Sequence, residues 1–371
     1  MTENNTPETE EVAYDFPEQT EANGERCPNC GSTLRFDPEK QCLYCDSCGT
    51  KHTIEAVQGE ERAFSELAAA TDATWQAETH AYRCNSCGAE EVLNKGEIAL
   101  KCPFCGSPAV VEREEMDTLR PNAVIPFSVE KEKATETAKT WAKKKWFAPN
   151  DFKKYFEPEK VNGVYIPAFT FDTNSDSNYT GRLGEHYYVT VRGRDGKSSR
   201  QRRTRWFSIS GRYQEFFDDL AVSATDAIPK KIIKKLLFYD FYNCVEYNES
   251  YLYGFSALLY TRSGTECWEE AQANADQKIR RGILSQYHYD VVGSLNVRTS
   301  YFNRTYKYLL VPMYTGNYTY KKKPYTFYVN GRTGKLRGFS PVSPFKVGIA
   351  VTIGAALAVG AYFLLRFLGV I

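Results

Sequence analysis

Eight of the eleven cysteines stand in four Cys-x-x-Cys pairs, a spacing that lets two thiolates from one turn bind the same metal ion. Each cysteine of the first two pairs recurs 57 positions later, which indicates the internal duplication of one unit. A glycine follows the second cysteine of every pair, where a metal-binding turn often requires a positive φ. The pairs are Cys27/Cys30, Cys45/Cys48, Cys84/Cys87 and Cys102/Cys105.

Two such pairs that face each other form a four-thiolate site, so the sequence predicts two structural Zn²⁺ ions in two tandem zinc ribbons. All four ligands of each site are cysteines, which leaves no coordination position for a catalytic water. Iron is an alternative metal, because four thiolates also bind it. Disulfides are a further alternative, but the acidic N-terminus lacks the basic and apolar regions of a secretory signal.

The three remaining cysteines are interpreted separately. Cys42 forms a rival pair with Cys45, although the duplication favours the pair of Cys45 with Cys48. Cys244 and Cys267 are isolated in the sequence. We expect them to be buried apolar residues, which is the usual environment of an unpaired cysteine.

The C-terminal sequence from Val347 to Leu365 contains nineteen residues without a charge. As a helix this segment is about 28 Å long, close to the thickness of a bilayer core, and a transmembrane helix is predicted over residues 345–369. The alternative is a buried core helix, which seldom lacks a polar face. Four basic residues precede the segment and only Arg366 follows it, which predicts a single-pass cell-membrane protein with cytoplasmic N-terminal domains. The preceding bases are Arg332, Lys335, Arg337 and Lys346.

Composition and patterning divide the chain into six segments. Residues 1–26 carry a net charge of −7, and we expect a disordered acidic tail. From residue 163 onward, apolar or aromatic residues alternate with polar ones, so residues 121–340 are predicted to be one α+β domain rich in antiparallel sheet. The other segments are zinc ribbon 1 at residues 27–50, a helical linker at residues 51–83, zinc ribbon 2 at residues 84–107 and the transmembrane helix.

Periodicity and turn residues place individual elements within these segments. The first helix is predicted to be amphipathic, with Phe64 and Leu67 on one face. Asn330-Gly331 predicts a turn between two strands, as does Arg194-Asp195-Gly196. Helices are predicted over residues 59–76, Val129–Trp146 and 265–289.

A cluster of arginines precedes Trp206 and Phe207 in one of the predicted strands. Interleaved bases and aromatic rings can bind nucleic acid through phosphate contacts and stacking. The same bases could bind anionic lipid headgroups or an acidic protein surface. A solvated strand without a partner is the remaining alternative. The residues of this candidate anionic-partner patch are Arg200, Arg202, Arg203 and Arg205.

The sequence contains no recognised catalytic motif in a suitable context. The segment VRGRDGKS at 191–198 has Val191 where a phosphate-binding loop requires glycine, and it lies between predicted strands. No HExxH or GxSxG motif occurs. We therefore expect that the protein is not an enzyme, with an unrecognised activity in the β-rich domain as the alternative.

A series of later motifs follows the doubled ribbon in a fixed order. The ribbons read CPNCG, CDSCG, CNSCG and CPFCG, and they are followed by VIPF, KKWFAPNDF, NGVYIPAFTFD, TRWFSISG, FFDDLAV, YFNRTYKYLLVPMY and YTFYVNGRTGKLRG. This order resembles a bacterial family of membrane-anchored double-zinc-ribbon proteins. Members of that family are often labelled as transcription-factor-type zinc ribbon proteins or as similar to the primosomal helicase. The resemblance covers nearly everything after residue 26.

The resemblance implies a function that the motifs themselves do not. Proteins of this family accompany phage-shock-protein-A-like proteins and SPFH-domain (flotillin-like) proteins. This implies a non-enzymatic, zinc-binding adaptor that recruits cytoplasmic stress proteins to the inner face of the membrane. A membrane-tethered nucleic-acid-binding protein is the alternative. The helicase label is not matched, since the chain has no Walker-type loop.

Overall fold

The structure is a computed structural model that describes residues 26–67, 79–85, 89–94, 110–113, 119–158, 160–192, 198–236 and 241–367. Of the predicted metal ligands, Cys87, Cys102 and Cys105 lie outside the described residues. The acidic segment 1–25 and the predicted turn Arg194-Asp195-Gly196 also lie outside them.

The described residues form an α+β structure dominated by one large, mostly antiparallel sheet, as the sequence predicts. Three short strands form a separate sheet in the first ribbon: β1 (Arg35–Asp37), β2 (Cys42–Tyr44) and β3 (Lys51–Thr53). The large sheet contains 13 strands within the described part of the chain. They are β4 (Arg62–Ala63), β5 (Thr79–Cys84), β6 (Glu90–Asn94), β7 (Val110–Arg113), β8 (Ala123–Val124), β9 (Lys160–Arg192), β10 (Ser198–Phe217), β11 (Val222–Ser223), β12 (Val245–Glu246), β13 (Ser256–Leu258), β14 (Val291–Tyr320), β15 (Lys323–Asn330) and β16 (Leu336–Gly338).

Two very long strands, β9 and β14, form the centre of this sheet. They pair antiparallel from Lys160 opposite Asn317 to Gly184 opposite Val291. The pairing is interrupted by register shifts, one of them next to Asn303, whose φ is +52°. Residues 306–316, in the C-terminal half of β14, are buried on both faces of the sheet. This burial explains their nearly continuous run of apolar and aromatic residues.

β10 lies along the other edge of β9 and extends past the end of β14. It pairs with β9 from Thr173 opposite Phe217 to Arg192 opposite Ser198. Beyond Gly184, strands β9 and β10 have only each other as strand partners within the described residues. Residues 185–192 and 198–205, called the hairpin tip below, therefore form a two-stranded ribbon about 26 Å long.

Within the described residues, five α-helices pack against or extend from the sheet. The predicted helices at Val129–Trp146 and 265–289 are confirmed to within a few residues. The longest helix packed on the sheet begins at a capping box, in which Ser263 and Glu266 bond each other's backbone N–H groups. Its bounds and those of the others are α1 (Lys131–Lys144), α2 (Asn150–Tyr155), α3 (Lys230–Leu236), α4 (Gly264–Ser285) and α5 (Pro344–Phe367).

One face of α4, with residues at four-residue spacing, is buried against apolar residues of β9, β10 and β14. This face includes Cys267, and Cys244 is buried in a neighbouring core, so both isolated cysteines are core residues as predicted. Three short 3-10 helices complete the fold at Phe64–Glu66, Phe241–Asn243 and Glu249–Leu252.

The linker differs from its prediction. Where an amphipathic helix was expected over residues 59–76, the described residues 59–67 form β4 and a single 3-10 turn. β4 pairs with Thr305 and Tyr306 of β14, and this sheet pairing replaces the helical hydrogen bonds. Phe64 and Leu67 still lie on one apolar face, which packs on the α4 core. For residues 59–67 the apolar pattern was interpreted correctly as a face that packs on the core and wrongly as a helix, and residues 68–76 of the prediction lie outside the described residues.

The C-terminal helix α5 is uncharged from Val347 to Leu365 and stands apart from the core. It is long and apolar enough to cross a membrane, with a mean hydropathy of 2.1 over its most apolar window. None of its residues is buried. The expected C-terminal apolar helix is therefore present, and its apolar surface has no protein cover in the described structure.

Candidate metal centre

The first ribbon holds its cysteines in two turns of identical construction. The N–H of Cys27 donates to the carbonyl of Ser32 at 2.7 Å, and the N–H of Cys45 donates to the carbonyl of Thr50 at 3.0 Å. Within each turn, the N–H of the glycine donates back to the carbonyl of the first cysteine at 2.8 Å. Gly31 and Gly49 both have a φ of +74°, so glycine is required there for the conformational reason that the sequence suggested.

These two turns bring four thiols together. Cys27 Sγ lies 3.5 Å from Cys48 Sγ, and Cys30 Sγ lies 3.4 Å from Cys45 Sγ. All four sulfurs lie within 4.8 Å of one another. A tetrahedral ion with metal–sulfur bonds of about 2.3 Å holds its sulfurs about 3.8 Å apart, so the donor set fits a four-thiolate metal site.

The rival pair of Cys42 with Cys45 is excluded by this geometry. Cys42 belongs to β2, opposite Thr53, and is not part of the four-sulfur group. The prediction that Cys45 pairs with Cys48 is confirmed. Cys42 is a strand residue, so it is not part of the turn that Gly49 closes directly after Cys48.

Local hydrogen bonds favour thiolate at the two outward-facing cysteines. A hydrogen bond with the Thr50 hydroxyl, whose oxygen lies 3.0 Å from the sulfur, lowers the pKa of Cys48 to about 6. A hydrogen bond with Ser32 lowers the pKa of Cys30. Cys27 and Cys45 are buried, while Cys30 and Cys48 are exposed. The group therefore lies at the surface of the ribbon with one side open to a metal ion, which binds thiolates.

The inner face of the first ribbon is part of the main core. Phe36 packs edge-to-face on Tyr251 at 5.3 Å, and its N–H donates to the carbonyl of Tyr253 at 2.9 Å. The side-chain amide of Gln41 donates to the carbonyl of Phe127 at 2.7 Å. Leu34, Leu43 and both buried cysteines belong to the same apolar cluster as the β9–β14 core. Loss of the metal site would consequently disturb a docked surface as well as the ribbon.

One cysteine of the second set is described, and it repeats the geometry of the first. The N–H of Cys84, at the end of β5, donates to the carbonyl of Ala89 at 2.8 Å. This is the same five-residue closure that Cys27 and Cys45 make. The duplication seen in the sequence therefore extends to the backbone of at least one further turn.

The arginine patch is divided between two faces of the hairpin tip. Directly opposed residues share a face in an antiparallel pair, and the side chains alternate along each strand. Arg200 and Arg202 lie opposite Thr190 and Tyr188 on one face, and the Arg200 guanidinium lies 4.4 Å from the Tyr188 ring centroid. The other two arginines, Arg203 and Arg205, project from the opposite face, where Arg205 pairs with Glu185 at 2.7 Å.

The structure reveals a buried charged cluster that the sequence analysis missed. Lys307 of β14 is nearly inaccessible, and its ammonium lies 3.2 Å from Glu61 Oε1 and 3.1 Å from Asp219 Oδ1. Asp172 of β9 accepts a hydrogen bond from the N–H of Asp219 at 2.9 Å. Burial, together with a hydrogen bond with Glu61, raises the pKa of Asp172 to about 7. Three carboxyl groups around one ammonium cannot all ionise without a net negative charge, so Asp172 keeps a proton most readily.

The lysine explains this cluster without a metal ion. Asp172, Asp218 and Asp219 have oxygens close enough to share a cation, but the Lys307 ammonium already lies against Asp219. The four residues of the Lys307 cluster are far from one another in the sequence: Glu61, Asp172, Asp219 and Lys307. Its only signal was a charge in an apolar context: Lys307 within YKYLLVPMY and Asp172 at the end of FTFD.

A charged cleft of about 640 Å³ lies beside this cluster, between α3, α4 and the segment at 218–226. Four of its charged residues form one group of ion pairs. Glu270 lies 2.9 Å from Arg262, 3.6 Å from Lys234 and 3.9 Å from Lys230. These ion pairs account for part of the charged lining. The expectation that the protein is not an enzyme stays a prediction.

Comparison with known proteins gives one distant relative. The chain is 28% identical over 336 residues to the uncharacterized protein YdjG of Bacillus subtilis strain 168, an alignment that covers 87% of this chain and 91% of the relative. No protein-family model matches the chain. No solved structure matches it either. The similarity covers most of the length of both chains.

Proposed function

We propose that this protein is a non-enzymatic, zinc-binding adaptor, anchored in the membrane by α5, that recruits cytoplasmic protein partners to the inner face of the membrane. The observation that carries the proposal is the combination of a four-cysteine group with an apolar helix of which no residue is buried. Such a helix in water exposes about twenty apolar side chains, a surface that soluble proteins rarely leave uncovered. A bilayer covers it without any further protein.

Zinc is the metal proposed for the four-cysteine group, and a second zinc is proposed for the later cysteines. Tetrahedral four-thiolate sites with a closed coordination shell are typical of structural zinc. The support for the second ion is the repeated spacing together with the turn at Cys84. Elemental analysis of the purified full-length chain is expected to find two zinc ions per molecule. One ion, or stoichiometric iron, would contradict this part of the proposal.

The proposed orientation follows from the bases that precede α5. Arg332, Arg337 and Lys346 lie before the apolar segment, and Arg366 lies near its end. The excess of bases at the N-terminal end favours a cytoplasmic location for the ribbon and the sheet. Reduced thiols, which the metal site needs, are also typical of the cytoplasm.

The hairpin tip is the proposed recruiting surface. It extends past the end of β14 and presents Arg200, Arg202 and Tyr188 on one face. Arginine and tyrosine are enriched where proteins bind one another. A partner with an acidic surface fits this face, and the family resemblance suggests phage-shock-protein-A-like or SPFH-domain proteins.

Capture of partners from detergent-solubilised membranes tests the adaptor function. The full-length protein is expected to retain a specific protein partner, and the double variant Arg200→Gln/Arg202→Gln is expected to lose at least tenfold of it. The matched control is Arg203→Gln/Arg205→Gln, which removes the same charge from the opposite face. Equal capture by both double variants and the wild-type would contradict the recruiting role of this face.

Nucleic acid is the second candidate partner, favoured by the same arginine and tyrosine face. Guanidinium groups bind phosphates, and exposed rings such as Tyr188 stack on bases. Binding of single-stranded DNA or RNA is measured at low and high salt. An affinity that falls steeply with salt and depends on Arg200 would favour this function, whereas no binding at low salt would remove it.

A further inference from the structure

The loop between α1 and α2, residues 145–150, is tied directly to the start of the apolar helix. The N–H of Ser343 donates to the carbonyl of Phe147 at 2.8 Å. The ammonium of Lys346 donates to the carbonyl of Ala148 at 2.8 Å and to Asn150 Oδ1 at 2.7 Å. Lys346 is the last charge before the uncharged segment of α5. The loop is therefore held at the level where the proposed membrane span begins.

Two aromatic side chains of this loop project away from the protein. Trp146 is 61% exposed and Phe147 is 43% exposed, with their rings 4.9 Å apart in an edge-to-face arrangement. The residues around them are fixed, since Ala148 and Phe152 are buried in the main core. The loop thus has a defined position in which two large apolar rings remain in contact with solvent.

Basic residues flank these rings on both sides. Lys143 and Lys144 end α1, and Lys153 and Lys154 lie in the last turn of α2. The acids nearby are already engaged, since Asp151 accepts a hydrogen bond from the Tyr320 hydroxyl at 2.7 Å and Glu157 pairs with Lys139 at 2.7 Å. The surface around the loop consequently carries an excess of positive charge.

We propose that this loop is a membrane-contacting surface, in which Trp146 and Phe147 enter the headgroup region of an anionic bilayer. The inference rests on the proposed anchoring by α5. Tryptophan is favoured at the membrane–water interface because its ring is apolar and its N–H can still bond to water or headgroups. Lysines at that level attract anionic lipids electrostatically.

The bilayer is the chosen occupant because the surface is continuous with the start of α5. The hydrogen bonds of Lys346 and Ser343 keep the rings next to the helix whichever way the helix tilts. A globular partner would have to reach the same place between the protein and the membrane surface. The consequence for function is that α5 and the loop together fix the orientation of the domain, and with it the direction of the hairpin tip.

Quenching of tryptophan fluorescence by brominated lipid tests the inference on the full-length protein. The protein is reconstituted in vesicles of phosphatidylcholine and phosphatidylglycerol that contain lipid brominated near the headgroup end of the acyl chain. The wild-type is expected to lose about one fifth of its emission, the share of Trp146 among the five tryptophans. Trp146→Phe is expected to lose this quenching, and the control Trp206→Phe, at the base of the hairpin tip, is expected to keep it.

Two readouts separate failure of the inference from failure of the anchor. Extraction with alkaline carbonate reports whether α5 is inserted, independently of Trp146. A protein that is inserted, but whose quenching is the same in the wild-type and Trp146→Phe, overturns the membrane contact alone. A dimer through the rings would instead shield Trp146 from aqueous acrylamide as protein concentration rises, without quenching by bromolipid, and would also overturn it. Replacing the anionic lipid by phosphatidylcholine is expected to at least halve the quenching.

Discussion

The four-cysteine group and the Lys307 cluster bring charge-bearing groups together in opposite ways. The cysteines come from 22 consecutive residues, half of them exposed, and their thiolates have no cationic side chain among them. The Lys307 cluster joins Glu61, Asp172 and Asp219 from distant parts of the chain in a buried place and supplies its own cation. The first arrangement requires an added cation to offset its negative charge, whereas the second already contains a cation.

This difference indicates which charged group binds a ligand and which one stabilises the fold. A group that lacks its counter-charge is available for a ligand, and its folding energy comes largely from that ligand. A cluster that contains its own cation is instead a structural connection, here between the linker residue Glu61 and the central strand β14. The comparison yields four predictions, which run from the largest expected effect to the smallest.

Cys45→Ser is expected to have the largest effect, because it removes both a metal ligand and a buried core residue. Structural zinc stabilises isolated ribbon peptides by about 10–16 kcal/mol, so loss of one ligand is expected to unfold the first ribbon. Hydrogen exchange of residues 26–54 and bound zinc are the measurements. Cys42→Ser is the matched control. Cys42 lies three residues from Cys45, as Cys48 does, but outside the four-sulfur group. Retention of two zinc ions by Cys45→Ser would contradict the assignment.

Lys307→Met is expected to destabilise the large sheet by about 3–5 kcal/mol, because the buried Asp172 and the largely buried Asp219 would lose their cation. The free energy of unfolding is measured by urea denaturation in detergent. Lys323→Met is the matched control, since Lys323 belongs to the same sheet and is exposed, and it is expected to change stability by less than about 0.5 kcal/mol. Zinc content should be unchanged in both variants. A neutral effect of Lys307→Met would show that the cluster is not the connection described.

The contrast also explains what could be predicted from the sequence. The cysteine pairs could be recognised because ligands from two tight turns must recur at short, fixed spacings, and α5 could be recognised because its length and lack of charge are local properties. The Lys307 cluster could not, since its members are brought together by pairings between distant strands, β9 with β14 and β4 with β14. The helix predicted at residues 59–67 was wrong for a related reason. The pairing of β4 with Thr305 and Tyr306 depends on a strand more than 200 residues away.

Asp172→Asn is expected to change the pH dependence of stability. The pKa of Asp172 is raised from 3.8 to about 7 in the fold, mainly by burial, so its contribution to stability is complete below pH 3.8 and is lost as the pH rises through about 7. The variant cannot ionise, and its Oδ1 can still accept the Asp219 N–H. Relative to the wild-type, it is expected to gain about 1–2 kcal/mol of unfolding free energy between pH 5 and pH 8.

Urea denaturation at the two pH values measures this gain. Asp176→Asn is the control on the same strand, because a hydrogen bond with Arg212 lowers the pKa of Asp176. A lowered pKa affects stability only at acidic pH, so this control is expected to show no such gain between pH 5 and pH 8. An identical pH dependence of the wild-type and Asp172→Asn would mean that Asp172 is ionised throughout this range, and that burial does not raise its pKa.

Gly31→Ala is expected to have the smallest effect and tests how far the metal turn is formed before the ion binds. A Cβ at Gly31 would meet no atom within 4 Å, so any cost comes from the φ of +74° and not from packing. That cost is about 1 kcal/mol for alanine and less for asparagine, which tolerates this conformation better. Competition with a zinc chelator is expected to show about fivefold weaker binding by Gly31→Ala, with Gly31→Asn between it and the wild-type. Equal affinities for all three proteins would mean that the metal, rather than the glycine, determines the shape of the turn.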